Sequence, residues 1–251
     1  AIKNQGSITK EISIVNTDRS VCARISGVIA KKYGNKGFSG NLNLIFKGPA
    51  GQSFGAFILK GMNISLIGEA NDYVGKGING GSITIVPEII NDISNTQVIL
   101  GNTCLYGATG GKLFALGIAG ERFGVRNSGA HAVIEGAGDH CCEYMTGGKI
   151  VILGPTGRNI GAGMTGGVTF IIDEQNQLEK KVNKEIVSIY KIHNSHQEKI
   201  IKDIISDYFK HTGSLKASKL LNDWDYSKNI FKMIVPPSEE EVLLIDKSST
   251  I

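Results

Sequence analysis

Short apolar runs rich in branched side chains recur along the chain at residues 42–46, 64–67, 83–86, 98–100, 113–116, 132–134, 150–153 and 169–172. Each has strand character. Their centres step by about 14 to 22 residues, most often by about 18 to 19, so the chain repeats itself at a fixed period. The connections are too short and too rich in glycine for crossover helices, which excludes a doubly wound α/β sheet. The period instead predicts a mainly β fold, a right-handed parallel β-helix with coils of about 18 to 19 residues, in which equivalent positions stack about 4.8 Å apart.

The flanks carry a different rhythm. Residues 17–33 place Val21, Ile25, Val28 and Ile29 on one helical face, with Thr17 as a cap and Gly34 as a stop, which predicts a helix covering the open first coil. After Asp173 glycine nearly vanishes. Residues 196–211 place Ile200, Ile201, Ile204, Ile205, Tyr208 and Phe209 at helical spacing, and a shorter helix follows at residues 215–222. These helices are expected to cap or flank the far end, before Pro236-Pro237 imposes an extended terminus. The division is therefore a flanking segment at 1–39, a glycine-rich β-helix at 40–175 and a helical and extended tail at 176–251.

Glycine supports the coil. There are 33 in 251 residues, about 13% against an average near 7%. The pairs Gly80-Gly81, Gly110-Gly111, Gly147-Gly148 and Gly166-Gly167 each precede a strand. Such positions fit corners where the backbone takes positive φ or approaches the next coil too closely for a side chain. Two G-x-G-x-x-G strings, at residues 75–80 and 161–166, are followed by strand and not by helix, so they fail the context of a dinucleotide fingerprint. A left-handed hexapeptide helix is rejected too, because GEANDYVGKGINGGS between Ile67 and Ile83 lacks an aliphatic residue at every sixth position.

Composition narrows function by exclusion. The net charge is +4, and from Glu179 onward twelve lysines face eleven acids, so there is no basic face for nucleic acid. No apolar run approaches the roughly 20 residues of a membrane span. Four cysteines, Cys22, Cys104, Cys141 and Cys142, lack disulfide-framework or zinc spacing and point to a reducing compartment. A start at Ala1 without a leader reads as a segment of a longer, soluble chain.

Candidate chemistry gathers between residues 121 and 158. A shift of nineteen residues sets Asp139 on Arg158, and a shift of eighteen sets Glu121 on Asp139, with Arg122 and Arg126 one coil earlier. This predicts an ion ladder between coils. The competing reading is a hydrolase or lyase carboxylate pair, Asp139 with Glu135 or Glu143, in a solenoid that cuts polysaccharides. His140-Cys141-Cys142, with His131 nearby, suggests metal or thiolate chemistry, but adjacent residues of an extended chain point to opposite sides. One thiol is expected to fill the interior as a small hydrophobe.

The segments GERFGVRNSG at 120–129, EGAGDHCCEYMTGG at 135–148 and GRNIGAGMTGG at 157–167 closely resemble the C-terminal domain of the glutamate synthases. The resemblance runs from about Asn16 through Pro237. Cys141-Cys142 and Pro236-Pro237-Ser238-Glu239 look more like the ferredoxin-dependent kind of plastids and cyanobacteria than the NADPH-dependent kind. A formylmethanofuran dehydrogenase subunit shares the coil pattern more thinly. The resemblance implies a β-helix domain in a large enzyme of the plastid stroma or cyanobacterial cytoplasm. That enzyme releases ammonia from glutamine in an amidotransferase domain, passes it through a tunnel to 2-oxoglutarate, and reduces the imine at FMN with electrons from ferredoxin through an iron-sulfur cluster. The implied partners are the amidotransferase, central and FMN-binding domains and ferredoxin, with no nucleic acid or membrane. No catalytic, cofactor-binding or metal-binding residue is carried over to this chain, whose expected role is non-catalytic and structural.

Overall fold

A computed structural model describes residues 1–91, 96–246, 248 and 250–251. One sheet runs the length of the molecule. Its parallel strands are β1 (Ser7–Ser13), β2 (Asn41–Lys47), β3 (Met62–Ile67), β4 (Asn79–Val86), β6 (Gly110–Ala119), β7 (Ser128–Ala137), β8 (Thr146–Ile152) and β9 (Gly166–Ile172), hydrogen-bonded in that order. A short β5 (Val98–Leu100) pairs with β6. The fold is the β-helix that the period predicted. All eight predicted strands are present.

Register gives the period directly. Leu42 pairs with Met62, Lys112 with His131, Ala132 with Ile150 and Ile150 with Thr169, steps of 20, 19, 18 and 19 residues. Two coils are longer. Ser7 pairs with Asn41 and Ile83 with Leu113, because one coil carries helix α1 (Ala23–Tyr33) and the other carries β5.

Alternation along each strand builds two cores. Ile64, Ile83, Leu113, Ala132 and Ile150 stack inside the coil. Phe114, Val133, Val151 and Phe170 stack on the outer face, where helix α2 (Ser195–Thr212) covers them with Ile201, Ile205 and Tyr208. Burying both faces explains why these strands read as unbroken apolar runs. The helices α3 (Leu215–Asn222) and α4 (Trp224–Ile230) follow, and β11 (Phe231–Val235) returns antiparallel onto β9, with β10 (Ser188–Lys191) outside it. The C-terminal helices thus flank the sheet, while strands close its far edge.

Several boundaries differ from the sequence reading. The helix expected from Thr17 begins at Ala23 with Cys22 at its cap, because the preceding backbone is already committed to the next coil: Ser20 N–H donates to Gln52 O at 2.9 Å and Gly55 N–H donates to Val21 O at 3.1 Å. Val28 is consequently half exposed and Ile29 is buried. The coil also starts earlier than residue 40, at β1, whose polar, exposed residues carry no apolar signature. After Pro236 the chain takes a 3-10 turn, Pro237–Glu239, and does not continue extended.

Opposite the sheet, the wall of the coil has an unusual backbone. Left-handed residues recur at alternate positions: Ser20 and Cys22, then Ser53, Gly55 and Phe57, Tyr73, Gly75 and Gly77, Thr103, Leu105 and Gly107, Arg122, Gly124 and Arg126, His140, Cys142 and Tyr144, and Asn159, Gly161 and Gly163. The first N–H of a set bonds forward, as His140 N–H does to Arg158 O at 2.8 Å, and the second bonds backward, as Cys142 N–H does to Phe123 O at 2.7 Å. Both G-x-G-x-x-G strings lie on this wall. The Thr-Gly-Gly phrases are its corners leading into the strands. Gly148 has φ +88°, and a Cβ on Gly166 would strike the carbonyl oxygen of Thr146 in the preceding coil.

Candidate functional site

The charged stretch between residues 121 and 158 lies on the left-handed wall. Asp139 Oδ2 meets Arg158 Nε at 3.0 Å, and Asp139 Oδ1 accepts the backbone N–H of Arg158 at 2.9 Å. The nineteen-residue register is therefore right, and the pair joins neighbouring coils at the surface, with the Arg158 side chain 82% exposed. The backbone bond is the leading cause that holds the Asp139 carboxyl below its ordinary range. The same use of a side-chain oxygen recurs up the stack. Asp72 Oδ1 accepts Asn102 N–H at 2.7 Å, and Asn102 Oδ1 accepts Glu121 N–H at 2.8 Å. Short polar side chains thus bind successive coils by capping backbone donors.

The remaining charges on this wall do not converge on a reacting position. Arg122 pairs with Glu143 at 3.0 Å, Arg126 lies over the Tyr144 ring at 5.8 Å, and His140 Nδ1 accepts from Asn159 Nδ2 at 3.0 Å. Glu135, the proposed carboxylate partner of Asp139, belongs to another surface altogether: it lies on β7 beneath the C-terminal helices and is fully buried. The pairing of Asp139 with Glu135 is therefore not assembled.

Both cysteines of the Cys141-Cys142 pair are fully buried, with sulfurs 3.5 Å apart. The expectation that one would face outward fails because Cys142 has φ +60°, so the chain is not extended there. Thr169 Oγ1 donates to Cys142 Sγ at 3.2 Å. Contact with Cys142 and burial push the Cys141 thiol up, and burial raises Cys104 to about 12. Thiols in this state are poor nucleophiles and poor ligands. Among the described residues no three His, Cys, Asp or Glu side chains are grouped to hold a metal ion.

The polar feature that the sequence did not announce is a knot around Glu135. Its Oε1 accepts from Ser214 Oγ at 2.6 Å and from Tyr208 OH at 2.7 Å. Ser214 also caps α3 by accepting Ala217 N–H at 3.1 Å, and Tyr208 lies on α2. Burial, the foremost cause, raises the Glu135 carboxyl above its ordinary range. Neighbouring coils carry Leu116 and Leu153 in the same outer core. A single acid in an aliphatic column was the available signal, visible once the strands are registered.

With this geometry in place the comparisons are decisive at the level of family. A family model described as "GXGXG motif" matches residues 1–237. The chain belongs to the GXGXG family. On the left-handed wall Gly161 and Gly163 take the positive φ that Cys142 and Tyr144 take one coil earlier. The chain is 56% identical to ferredoxin-dependent glutamate synthase 2, chloroplastic, of Arabidopsis thaliana, over 96% of this chain and 15% of that protein. It is 57% identical to ferredoxin-dependent glutamate synthase 2 of Synechocystis sp., over 96% and 16%. It thus spans about one sixth of the length of these relatives. A solved structure of the formyltransferase/hydrolase complex from Methylorubrum extorquens matches with TM-score 0.53 and 22% identity, over 71% of this chain and 62% of that one. That likeness shows the fold.

The cofactors that the relatives' enzyme class implies do not fit the residues described. An iron-sulfur cluster needs several thiolates facing one space, whereas these thiols are buried and only Cys141 and Cys142 adjoin. A flavin phosphate would need free backbone donors at the glycine strings. Gly75 N–H donates to Phe54 O at 2.9 Å, Gly77 N–H to Tyr106 O at 2.9 Å and Gly161 N–H to Cys141 O at 2.9 Å.

Proposed function

We propose that this chain is the β-helix region of a ferredoxin-dependent glutamate synthase and acts there as a non-catalytic scaffold. The whole enzyme would convert L-glutamine, 2-oxoglutarate and reduced ferredoxin to two L-glutamate, in the plastid stroma or the cyanobacterial cytoplasm, serving glutamate biosynthesis and ammonia assimilation. FMN and an iron-sulfur cluster would sit in its other domains. The observation that carries this reading is the identity of 54–58% over 96% of the chain to proteins of that name.

The physics of the stack supports the structural half of the reading. Each inner coil shares strand hydrogen bonds, wall hydrogen bonds and buried aliphatics with two neighbours, and such a rod resists bending. A stiff spacer suits an enzyme whose amidotransferase and FMN domains must hold fixed separation, because misplacing reacting groups by about 1 Å can cost about 100-fold in rate.

The test uses the full-length enzyme carrying D139N, H140N and E143Q together. Glutaminase activity and ferredoxin-linked reduction of 2-oxoglutarate with free ammonia are measured separately. Both rates are expected to stay within about threefold of the parent, whereas removal of a true acid-base group costs about 100-fold or more. A loss of that size in a folded variant with full flavin content would overturn the scaffold reading.

A further inference from the structure

Two lysines and a histidine between them stack on the outer face of the sheet. Lys112 on β6 is the register partner of His131 on β7, which is the register partner of Lys149 on β8. The column is neutral on either side: Asn63 and Ser82 precede it and Val168 follows. The charges are therefore concentrated where α2 crosses.

Helix α2 compensates only part of this charge. Asp207 pairs with Lys112 and lies 3.4 Å from His211 Nδ1, and Asp203 is exposed on the same helix. Among the described residues neither the His131 nor the Lys149 side chain has a hydrogen bond or ion pair. Between them and α2 lies a space of about 270 Å³, with Phe114, Ile200 and Ile204 as apolar walls and Asp203 and Asp207 at its helical side. Burial first, then Lys149 and Lys112, push the His131 imidazole below its ordinary range, while Asp207 acts in the opposite sense. A negative charge placed here would be drawn by Lys112 and Lys149 and would favour the protonated form of His131, against the carboxylates of Asp203 and Asp207.

We propose that this space binds a small oxyanion, a carboxylate or a phosphate, held between Lys149, His131 and Lys112. Its charge would draw a proton onto His131, so binding and protonation are linked. The anion should bind more tightly on the acid side of the His131 midpoint. This site is independent of the scaffold reading above.

The experiment follows the His131 imidazole by NMR across pH in the chain 1–251, with inorganic phosphate, with succinate, and with chloride at matched ionic strength. Phosphate or succinate is expected to raise the His131 midpoint by about one unit, the size an opposite charge at close range produces, equivalent to about tenfold tighter binding to the protonated form. K149Q, a partly exposed position, should abolish that shift while leaving the fold unchanged. His140, which lies on the left-handed wall and does not line this space, serves as the internal reference. Equal His131 midpoints in all three salts, or a full shift retained in K149Q, would overturn the proposal.

Discussion

At the scale of single residues, two acids that look alike in sequence are set apart by what surrounds them. Asp139 stands beside an exposed arginine, and exposed ion pairs contribute little. D139A should therefore lower Tm only slightly, chiefly through the lost acceptor for Arg158 N–H. E135A removes the acceptor of two buried hydroxyls and should cost about 1–3 kcal/mol by denaturant unfolding. A larger loss for D139A than for E135A would contradict this assignment of roles. The two also carry opposite pH signs. Glu135, raised by burial, contributes stability that is full below its ordinary value of 4.5 and is lost as pH rises through its folded value. Each unit of separation corresponds to about 1.4 kcal/mol. Asp139, depressed, contributes stability present above 3.8 and lost as pH falls through its folded value. Urea unfolding of E135Q between about pH 4 and about pH 8 should lack the parent's decline on the alkaline side; parallel curves would show that Glu135 does not titrate as its burial requires.

At the scale of elements, two glycines make the contrast that the repeat implies. Gly27 lies inside α1 with nothing within 4 Å of where an alanine Cβ would sit, whereas Gly166 faces the backbone of Thr146 in the adjacent coil. G27A should stabilise by about 0.5–1 kcal/mol, and G166A should destabilise by about 3 kcal/mol or more; thermal melts of the two variants decide it. The strands of the coil were legible because each buries an inward apolar face, and β6 to β9 bury the outer face as well, which leaves an apolar run at each period. β1 was not legible, since its residues are largely exposed and it is held by backbone bonds to β2. The left-handed wall was only half legible: Gly161 and Gly163 advertise it, but Cys142, Tyr144 and Arg126 adopt the same conformation without a sequence signature. For this reason an extended-chain rule misplaces the two cysteines, while the register between Asp139 and Arg158 is right. The Glu135 knot needs a contact across 79 residues to Ser214, and no local pattern encodes it.

At the scale of the whole molecule, the stack makes stability a function of position. Each coil is stabilised by its neighbours and by whatever covers its outer face, so terminal coils open at lower free energy than central ones. Strands β6 to β8 have neighbours on both sides, an aliphatic interior and α2 outside. The far edge is extended by β11 and β10. β1 has one strand neighbour, and of its residues only Ile8 is partly buried. Native-state hydrogen exchange should therefore be slowest for amides of β7, such as Val133 and Ile134, and fastest for those of β1, such as Lys10 and Ile12, with β2 and β3 between them. The gradient should survive D139A, which touches one rung of the wall, and should steepen in E135A, which loosens α2 from the middle of the sheet. Uniform protection from β1 to β9 would mean that the coils open together, and the additive picture of a rod built from neighbouring storeys would then be wrong.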